Sequence, residues 1–201
     1  MSSIGSSATS PSSSAWRTVD IVVAAAIAVA FGVVFWAWNL VWAATTPVFG
    51  FLTQTQYLLY GVWLVPAVLG ALVIRKPGAA LFTELVAAVV SSLLGSQWGL
   101  DTLVSGVIQG GAAEVVFALF RYRSWTMAVA VLAALATAFG AWIHDMPLYY
   151  PELGVGGWAV FLVFMLVSAA IVAGVGSWYL MRALAQAGVL AAFASGRAHS
   201  G

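Results

Sequence analysis

Two glutamates, Glu84 and Glu114, stand in stretches of the chain that are otherwise apolar, and both are candidates for ligand chemistry. A carboxyl group that faces hydrocarbon is energetically costly, so an acid inside a membrane is normally turned toward a partner, a cavity or a ligand. Glu84 follows Lys76 by eight residues, and Glu114 precedes Arg121 by seven. At the rise of an α-helix, both carboxyls lie roughly 10 to 12 Å from the level of those basic residues. The spacing therefore predicts two acids at a similar depth.

An amide, Gln109, lies five residues before Glu114. That spacing is about 140° around an α-helix, so the two side chains need not share a face. The alternative for Glu84 and Glu114 is that both are protonated, hydrogen-bonded and purely structural. A buried amide such as Gln109 can likewise do no more than tie two helices together. The residue types leave both interpretations open.

Composition settles the class of protein that must position these groups. The chain has 201 residues, of which 63% are hydrophobic and 6% charged. So much apolar surface exceeds what a soluble domain of this length could bury. We therefore expect an all-α integral membrane protein with six transmembrane helices of about 20 residues each. The predicted segments are Val19 to Ala44, Tyr57 to Ile74, Ala79 to Leu94, Thr102 to Phe120, Met127 to Ile143, and Trp158 to Met181.

Basic residues predict the orientation of this bundle. With a cytoplasmic N-terminus, every Lys and Arg falls inside, and none violates the positive-inside rule. Both termini are then cytoplasmic. Residues 1–16 are predicted to be a disordered tail, 17–184 the six-helix transmembrane domain, and 185–201 a cytoplasmic C-terminal tail. The inside residues are Arg17, Arg75, Lys76, Arg121, Arg123, Arg182 and Arg197, and the outside ones are Asp101, His144, Asp145 and Glu152.

The sequence lacks the residues that several kinds of chemistry require. The absence of cysteine excludes thiol chemistry and thiolate metal sites, and the two histidines, His144 and His199, lack the spacing of metal ligands. No phosphate-binding loop or dinucleotide fingerprint is present, so any pumping would take its energy from a partner. We find no catalytic constellation and expect neither an enzyme nor a bound cofactor or metal.

Aromatic and amide side chains collect at the predicted outer ends of the spans. Asn39, Tyr60 and Trp63 are the preferred ligand contacts there, with Trp98 at the tip of the central hairpin. The stretch 45–56 is polar and flexible enough to act as a lid, and a plain connector is the alternative. Asp101 is predicted to cap the fourth span rather than to bind ligand. Residues 144–152 form a second outer loop, whose titratable groups are typical of an ordinary surface.

The middle of the chain resembles the YkoE family, the substrate-binding S components of energy-coupling factor (ECF) vitamin transporters. This resemblance implies uptake of thiamine or its hydroxymethylpyrimidine precursor, with a transmembrane coupling (T) subunit and ATPase (A) subunits that supply the work. The matching block covers about a quarter of the chain, and Glu84, Gln109 and Glu114 occupy motif positions. It comprises Arg75-Lys76-Pro77-Gly78-Ala79-Ala80-Leu81, Glu84, Ala87-Ala88, Leu94-Gly95, Gly99, and Gly106-Val107-Ile108-Gln109-Gly110 through Glu114 to Phe117.

Small residues at helical spacing offer a surface for such a partner. Ala24, Ala28 and Gly32 recur every four residues in the first span, and Ala26 with Ala30 repeats the spacing beside them. This stripe resembles the Ala-rich coupling surface of S components and would let another helix approach closely. Packing within the protein itself is the alternative.

Three functions remain open from the sequence. The first is the vitamin-binding subunit; an aminopyrimidine offers an amino donor beside a ring-nitrogen acceptor, which an amide or a protonated carboxyl can meet with paired hydrogen bonds. The second is a self-sufficient proton-coupled carrier that uses Glu84 or Glu114. The third is a membrane scaffold or enzyme. The residues favour neither thiamine nor hydroxymethylpyrimidine over the other.

Overall fold

The structure is a computed structural model that describes residues 15–197, without the side chain of Arg197, and all the regular elements in that range are helices. Five of them are long and apolar enough to cross a membrane, whereas α3 has 15 residues and is shorter. The all-α class and the multi-pass membrane character are confirmed; the six-span count remains a prediction. The helices are α1 (Thr18–Thr45), α2 (Thr53–Ile74), α3 (Ala79–Leu93), α4 (Asp101–Leu119), α5 (Met127–Tyr149), α6 (Pro151–Gln186) and α7 (Ala194–Arg197).

The bundle has two chemically different ends. We call one the basic end, where α1 begins and the α2–α3 and α4–α5 turns lie. The opposite end, where α4 begins and α5 ends, is the acidic end. Asp101 at the start of α4 accepts a hydrogen bond from Tyr149 at the end of α5, which fixes that pair of helices. The described Lys and Arg side chains lie at the basic end, and Asp101, Asp145 and Glu152 lie at the acidic end.

The helix boundaries differ from the predicted segments mainly at the acidic end. Helix α5 continues to Tyr149, with Pro147 inside its last turns, although a loop was predicted from His144 onward. Asp101 is the first residue of α4, but its side chain makes no capping hydrogen bond, so the predicted N-cap is wrong. Asp101 and Asp145 instead make contacts between helices, with Tyr149 and Tyr60 respectively.

The small-residue stripe of α1 packs inside the bundle, against α3. Ala24 and Ala28 are completely buried, and a Cβ at Gly32 would lie only 2.5 Å from the Cβ of Val90. The prediction that Ala24, Ala28 and Gly32 face a partner is therefore wrong, because α3 already occupies the close approach that small residues permit. The neighbouring pair Ala26 and Ala30 is exposed.

Glycines also set the distance between α3 and α4. A Cβ at Gly106 would lie 2.8 Å from the Cβ of Ala88, and one at Gly110 would lie 2.9 Å from the Cα of Leu81. Both glycines are thus needed for the close approach of the two helix backbones. Gly111 has open space around it and does not take part.

Two helices depart from regular α geometry where they meet. The first half of α2, Thr53–Leu64, is a 3-10 helix, and α6 contains a π-helical stretch, Ala169–Gly176. The hydroxyl of Ser168 accepts from the amide of Gly61 at 2.8 Å and donates to the carbonyl of Leu58 at 2.6 Å. Such segments are uncommon at this length and often mark functional positions.

The basic end is closed by ion pairs and by the C-terminal segment. Asp20 is buried between Arg17 and Lys76, with oxygen–nitrogen distances of 2.7 and 2.6 Å. Leu190 and Phe193 are buried, so the described part of the predicted C-terminal tail packs on the bundle. Residues 1–14 of the predicted N-terminal tail, and 198–201, lie outside the described residues.

Candidate ligand-binding pocket

A pocket opens between helices α1 to α5 in the half of the bundle toward the acidic end. It holds about 600 Å³ of open space, counting its opening to solvent. Its lining combines aromatic, amide, hydroxyl and carboxyl groups: Phe35, Asn39, Trp42, Tyr57, Tyr60, Trp63, Glu84, Ala88, Ser91, Ser96, Trp98, Asp101, Thr102, Ser105, Gly106, Gln109, Asp145 and Tyr149.

One wall of the pocket is aromatic, and the 3-10 helix explains its alignment. Tyr57, Tyr60 and Trp63 are three residues apart, and three residues make one turn of a 3-10 helix, so their side chains line up on one face. The rings of Tyr57 and Tyr60 are stacked, with centroids 5.5 Å apart. Trp42 from α1 meets Tyr57 edge-on at 5.2 Å and lies 5.0 Å from Trp63. The wall therefore presents flat faces and edges to anything in the pocket.

Glu84 lies at the buried side of the pocket and uses only one of its oxygens. Its side chain is fully buried, and Oε2 accepts a hydrogen bond of 2.8 Å from the amide of Ala67 in α2. Because Gly110 of the facing helix has no side chain, α4 comes close enough to cover Glu84. The second carboxyl oxygen, Oε1, has no hydrogen-bond partner.

Three residues that line the pocket carry buried polar atoms without a hydrogen-bond partner. Among the described residues, the buried side-chain atoms without a hydrogen-bond partner are Asn39 Oδ1, Glu84 Oε1 and Ser91 Oγ. Each of these three residues lines the pocket. Since buried polar groups are nearly always paired in native proteins, these three atoms have unused hydrogen-bonding capacity for water or for a ligand.

A polar chain crosses the pocket from the acidic end inward. Asp145 accepts a hydrogen bond from the hydroxyl of Tyr60, and that hydroxyl accepts one of 3.2 Å from Nε2 of Gln109. His144 lies between two carboxylates, with Nδ1 2.9 Å from Asp145 Oδ1 and Nε2 3.2 Å from Asp101 Oδ1. The chain links α5, α2 and α4 through groups that can exchange protons or hydrogen bonds.

Six of the seven residues predicted to contact ligand line this one cavity. They are Asn39, Tyr60, Trp63, Glu84, Trp98 and Gln109. Their arrangement is a geometric fact, whereas their role in binding stays a prediction. The stretch 45–56 predicted as a lid is held to the end of α1, because the buried amide of Gln56 donates to the carbonyl of Trp42 at 2.8 Å.

Glu114 is not among the lining residues, so the structure separates it from Glu84, and its predicted role in ligand binding is not supported by this geometry. Its carboxylate accepts from the amides of Gly78 at 2.6 Å and Ala80 at 3.0 Å, at the start of α3. The first amides of a helix lack partners inside it, and an anion there is stabilised by the helix dipole. Tyr122 donates to the same carboxylate at 2.7 Å, and burial, followed by this bond, raises the pKa of Tyr122 to about 12.

The sequence interpretation did not identify the residues that α5 contributes to the pocket. Asp145 and Tyr149 line the pocket but were predicted to be ordinary groups of an outer loop. A signal was present: Thr137, Ala141, Asp145 and Tyr149 recur every four residues, which is the spacing of one helix face. The first three of them are buried.

The comparisons with known proteins all find components of membrane transporters. The matching family model describes the permease component of an ABC-type cobalt transport system and covers residues 19–140. The chain is 33% identical over 183 residues to YkoE of Bacillus subtilis (strain 168), a proposed HMP/thiamine permease protein, with 90% of this chain and 91% of that protein covered. A crystal structure of an S component of an ECF transporter matches with a TM-score of 0.86 and 33% identity, over 91% of this chain and 92% of the other.

Proposed function

Because this chain belongs to the YkoE family of ECF transporter S components, which are transporter subunits and not enzymes, we propose that it captures thiamine or hydroxymethylpyrimidine for uptake. The observation that carries the proposal is the set of three unpaired polar atoms beside the aromatic wall. The relative YkoE bears the HMP/thiamine name, and the pocket chemistry supports extending that ligand class to this chain.

The pocket offers what an aminopyrimidine needs. Glu84 Oε1 and Asn39 Oδ1 can accept from an exocyclic amino group, and the hydroxyl of Ser91 can donate to a ring nitrogen. The aligned rings of Tyr57 and Tyr60 provide a face for the flat heterocycle. For thiamine, an aromatic face adds on the order of 0.5 to 2 kcal/mol for the thiazolium cation.

The proposed topology places this pocket on the outer side of the cell membrane. The basic end is cytoplasmic under the positive-inside rule, with both termini there and six helices spanning the bilayer. Helix α3 has 15 residues and is about 22 Å long. Since the hydrocarbon core is about 30 Å thick, the α3–α4 turn with Trp98 is recessed below the outer surface. This recess supports entry of the ligand from outside.

Uptake then depends on partners, a T subunit and ATP-consuming A subunits, because the chain itself is proposed only to bind. The exposed pair Ala26 and Ala30 on α1 is our candidate contact for the T subunit. Replacement of Ala30 by Trp is expected to leave ligand binding intact and to abolish partner-dependent uptake. Replacement of the buried Ala28 by Trp should disturb the α1–α3 contact and reduce binding as well. Normal uptake with Ala30→Trp would contradict the assignment of this surface.

A proton-coupled carrier is the second candidate, favoured by the buried, half-paired carboxyl of Glu84. Proteoliposomes separate the two. The S component predicts ligand binding without uptake when only a proton gradient is applied, and uptake when T and A subunits and ATP are added. Uptake by the chain alone under a proton gradient would refute the proposal. A parallel titration with Co²⁺ tests the cargo named in the matching family description.

A further inference from the structure

His144 bridges the two carboxylates that α4 and α5 bring to the pocket. Its ring nitrogens lie 2.9 Å from Asp145 Oδ1 and 3.2 Å from Asp101 Oδ1. Asp101 and Asp145 line the cavity, and the imidazole touches both of them. The hydroxyl of Tyr149 donates to the other oxygen of Asp101 at 2.6 Å, and that of Tyr60 donates to the other oxygen of Asp145.

This geometry favours a doubly protonated ring, because each ring nitrogen faces a carboxylate oxygen. A neutral imidazole carries a single N–H and would turn a lone pair toward one of the two anions. A doubly protonated ring donates from Nδ1 to Asp145 and places Nε2 at ion-pair distance from Asp101. Within residues 15–197, the basic side chains lie at the opposite end of the bundle, so His144 is the cationic group available to this pocket.

The other titratable groups around the imidazole do not supply a positive charge. From α4 the facing group is Asp101, and from α2 the nearest is Tyr60, which bonds to Asp145. Its own helix contributes Asp145 and Tyr149. On α6, Glu152 is exposed at this end, and on α3, Glu84 lies on the buried side of the pocket. The two carboxyl groups that contact the imidazole are therefore those of Asp101 and Asp145.

We propose that His144 is the exchangeable counter-ion of this pocket: its protonated ring neutralises Asp101 and Asp145, and binding of a cationic ligand releases that proton. The proton leaves a ring nitrogen of His144 for solvent, and the charge of the ligand replaces that of the imidazolium beside the two carboxyl groups. This inference rests on the proposed function and deepens it, since it makes the affinity for a cation such as thiamine depend on one histidine.

The sign of the pH dependence follows from linkage. When binding releases a proton, affinity rises with pH as long as the releasing group is protonated in the free protein. The change approaches about tenfold in Kd per pH unit on the acid side of the His144 titration and levels off above it. Hydroxymethylpyrimidine carries no permanent charge and should not expel the His144 proton.

The test is a set of ligand titrations of the detergent-purified full chain between about pH 5.5 and about pH 8.5, a range that spans histidine titration. Tryptophan fluorescence reports binding, and an indicator dye in weak buffer reports proton release. The aminopyrimidine ring takes up protons itself in acid, so His144→Gln supplies the baseline for each ligand. His199→Gln, at the other histidine of the chain, is the matched control.

The expected result is a pH dependence for thiamine that is steeper in the wild type and in His199→Gln than in His144→Gln, with release of up to about one proton per ligand. The excess over the baseline should be absent for hydroxymethylpyrimidine. Equal profiles in wild type and His144→Gln, with both proteins binding thiamine, would overturn the inference and leave the proposed function standing. So would an equal excess for both ligands. Failure of wild type to bind either ligand at any pH would overturn both.

Discussion

Replacing Glu84 by glutamine changes one unpaired atom of a residue that lines the pocket and little else. Glu84 Oε2 is held by the amide of Ala67 at 2.8 Å, so the oxygen of a Gln side chain should keep that bond. The new NH₂ group must then take the place of Oε1, which has no partner within the protein. The substitution therefore turns an unpaired acceptor on a pocket-lining residue into a donor, while volume and burial stay nearly constant.

The expected loss follows from one unmade hydrogen bond in a buried site. An amino group of the ligand would lose its acceptor and face another donor, at a cost of about 1 to 3 kcal/mol. This corresponds to a Kd raised roughly 5- to 150-fold. Quenching of tryptophan fluorescence is a suitable assay, because Trp42, Trp63 and Trp98 all line the pocket.

Glu114→Gln is the matched control, since it makes the same chemical change at the other intramembrane acid. Its carboxylate accepts hydrogen bonds from the Gly78 amide at the start of α3 and from the Tyr122 hydroxyl, and Glu114 does not line the pocket. We expect a Kd close to that of the wild type and a lower thermal unfolding midpoint, because an amide nitrogen cannot accept from the α3 amides. Weaker binding with Glu114→Gln and unchanged binding with Glu84→Gln would refute this assignment of the two acids.

Two further predictions concern the helices that shape the cavity. Gly110→Ala should lower the free energy of unfolding by about 1 to 3 kcal/mol, because its Cβ would lie 2.9 Å from the Cα of Leu81. Gly111→Ala is the control: the space around Gly111 is open, so this variant should be nearly neutral in the same thermal unfolding assay. Ser168→Ala removes the acceptor of the Gly61 amide and should disturb the 3-10 stretch that aligns the aromatic wall. Ligand binding should weaken as a result. An unchanged Kd in fluorescence titration would show that this contact does not position the wall.

Residue types and hydropathy were enough to predict the membrane class and most helix positions. Predicted and observed bounds agree within two residues for Ala79–Leu93 and Asp101–Leu119, because charged residues and Pro/Gly breaks flank these segments. Glu84 and Gln109 could be found in the same way, since each is a polar group within an apolar helix. The resemblance to S components, carried by the central motif block, is confirmed by the comparisons.

What the sequence could not supply was the direction in which each side chain points. Glu84 and Glu114 look equivalent by depth and flanking residues, and only the fold shows that Glu114 meets the amides of α3. Likewise, Ala28 and Ala30 are interchangeable by type, yet one is buried against α3 and the other is exposed. The 3-10 geometry of α2 also has no local signature, because its contact with Ser168 comes from a residue more than 100 positions away.

The most direct test of the central claim is an equilibrium titration of the detergent-purified wild-type chain with thiamine and, separately, with hydroxymethylpyrimidine, followed by tryptophan fluorescence. If the aromatic pocket is a vitamin site, at least one ligand should give saturable quenching with one site per chain, and excess unlabelled ligand should displace a radiolabelled one. If neither ligand produces saturable quenching or displacement, while the protein remains folded, the pocket does not bind this class of ligand and the proposed function is wrong.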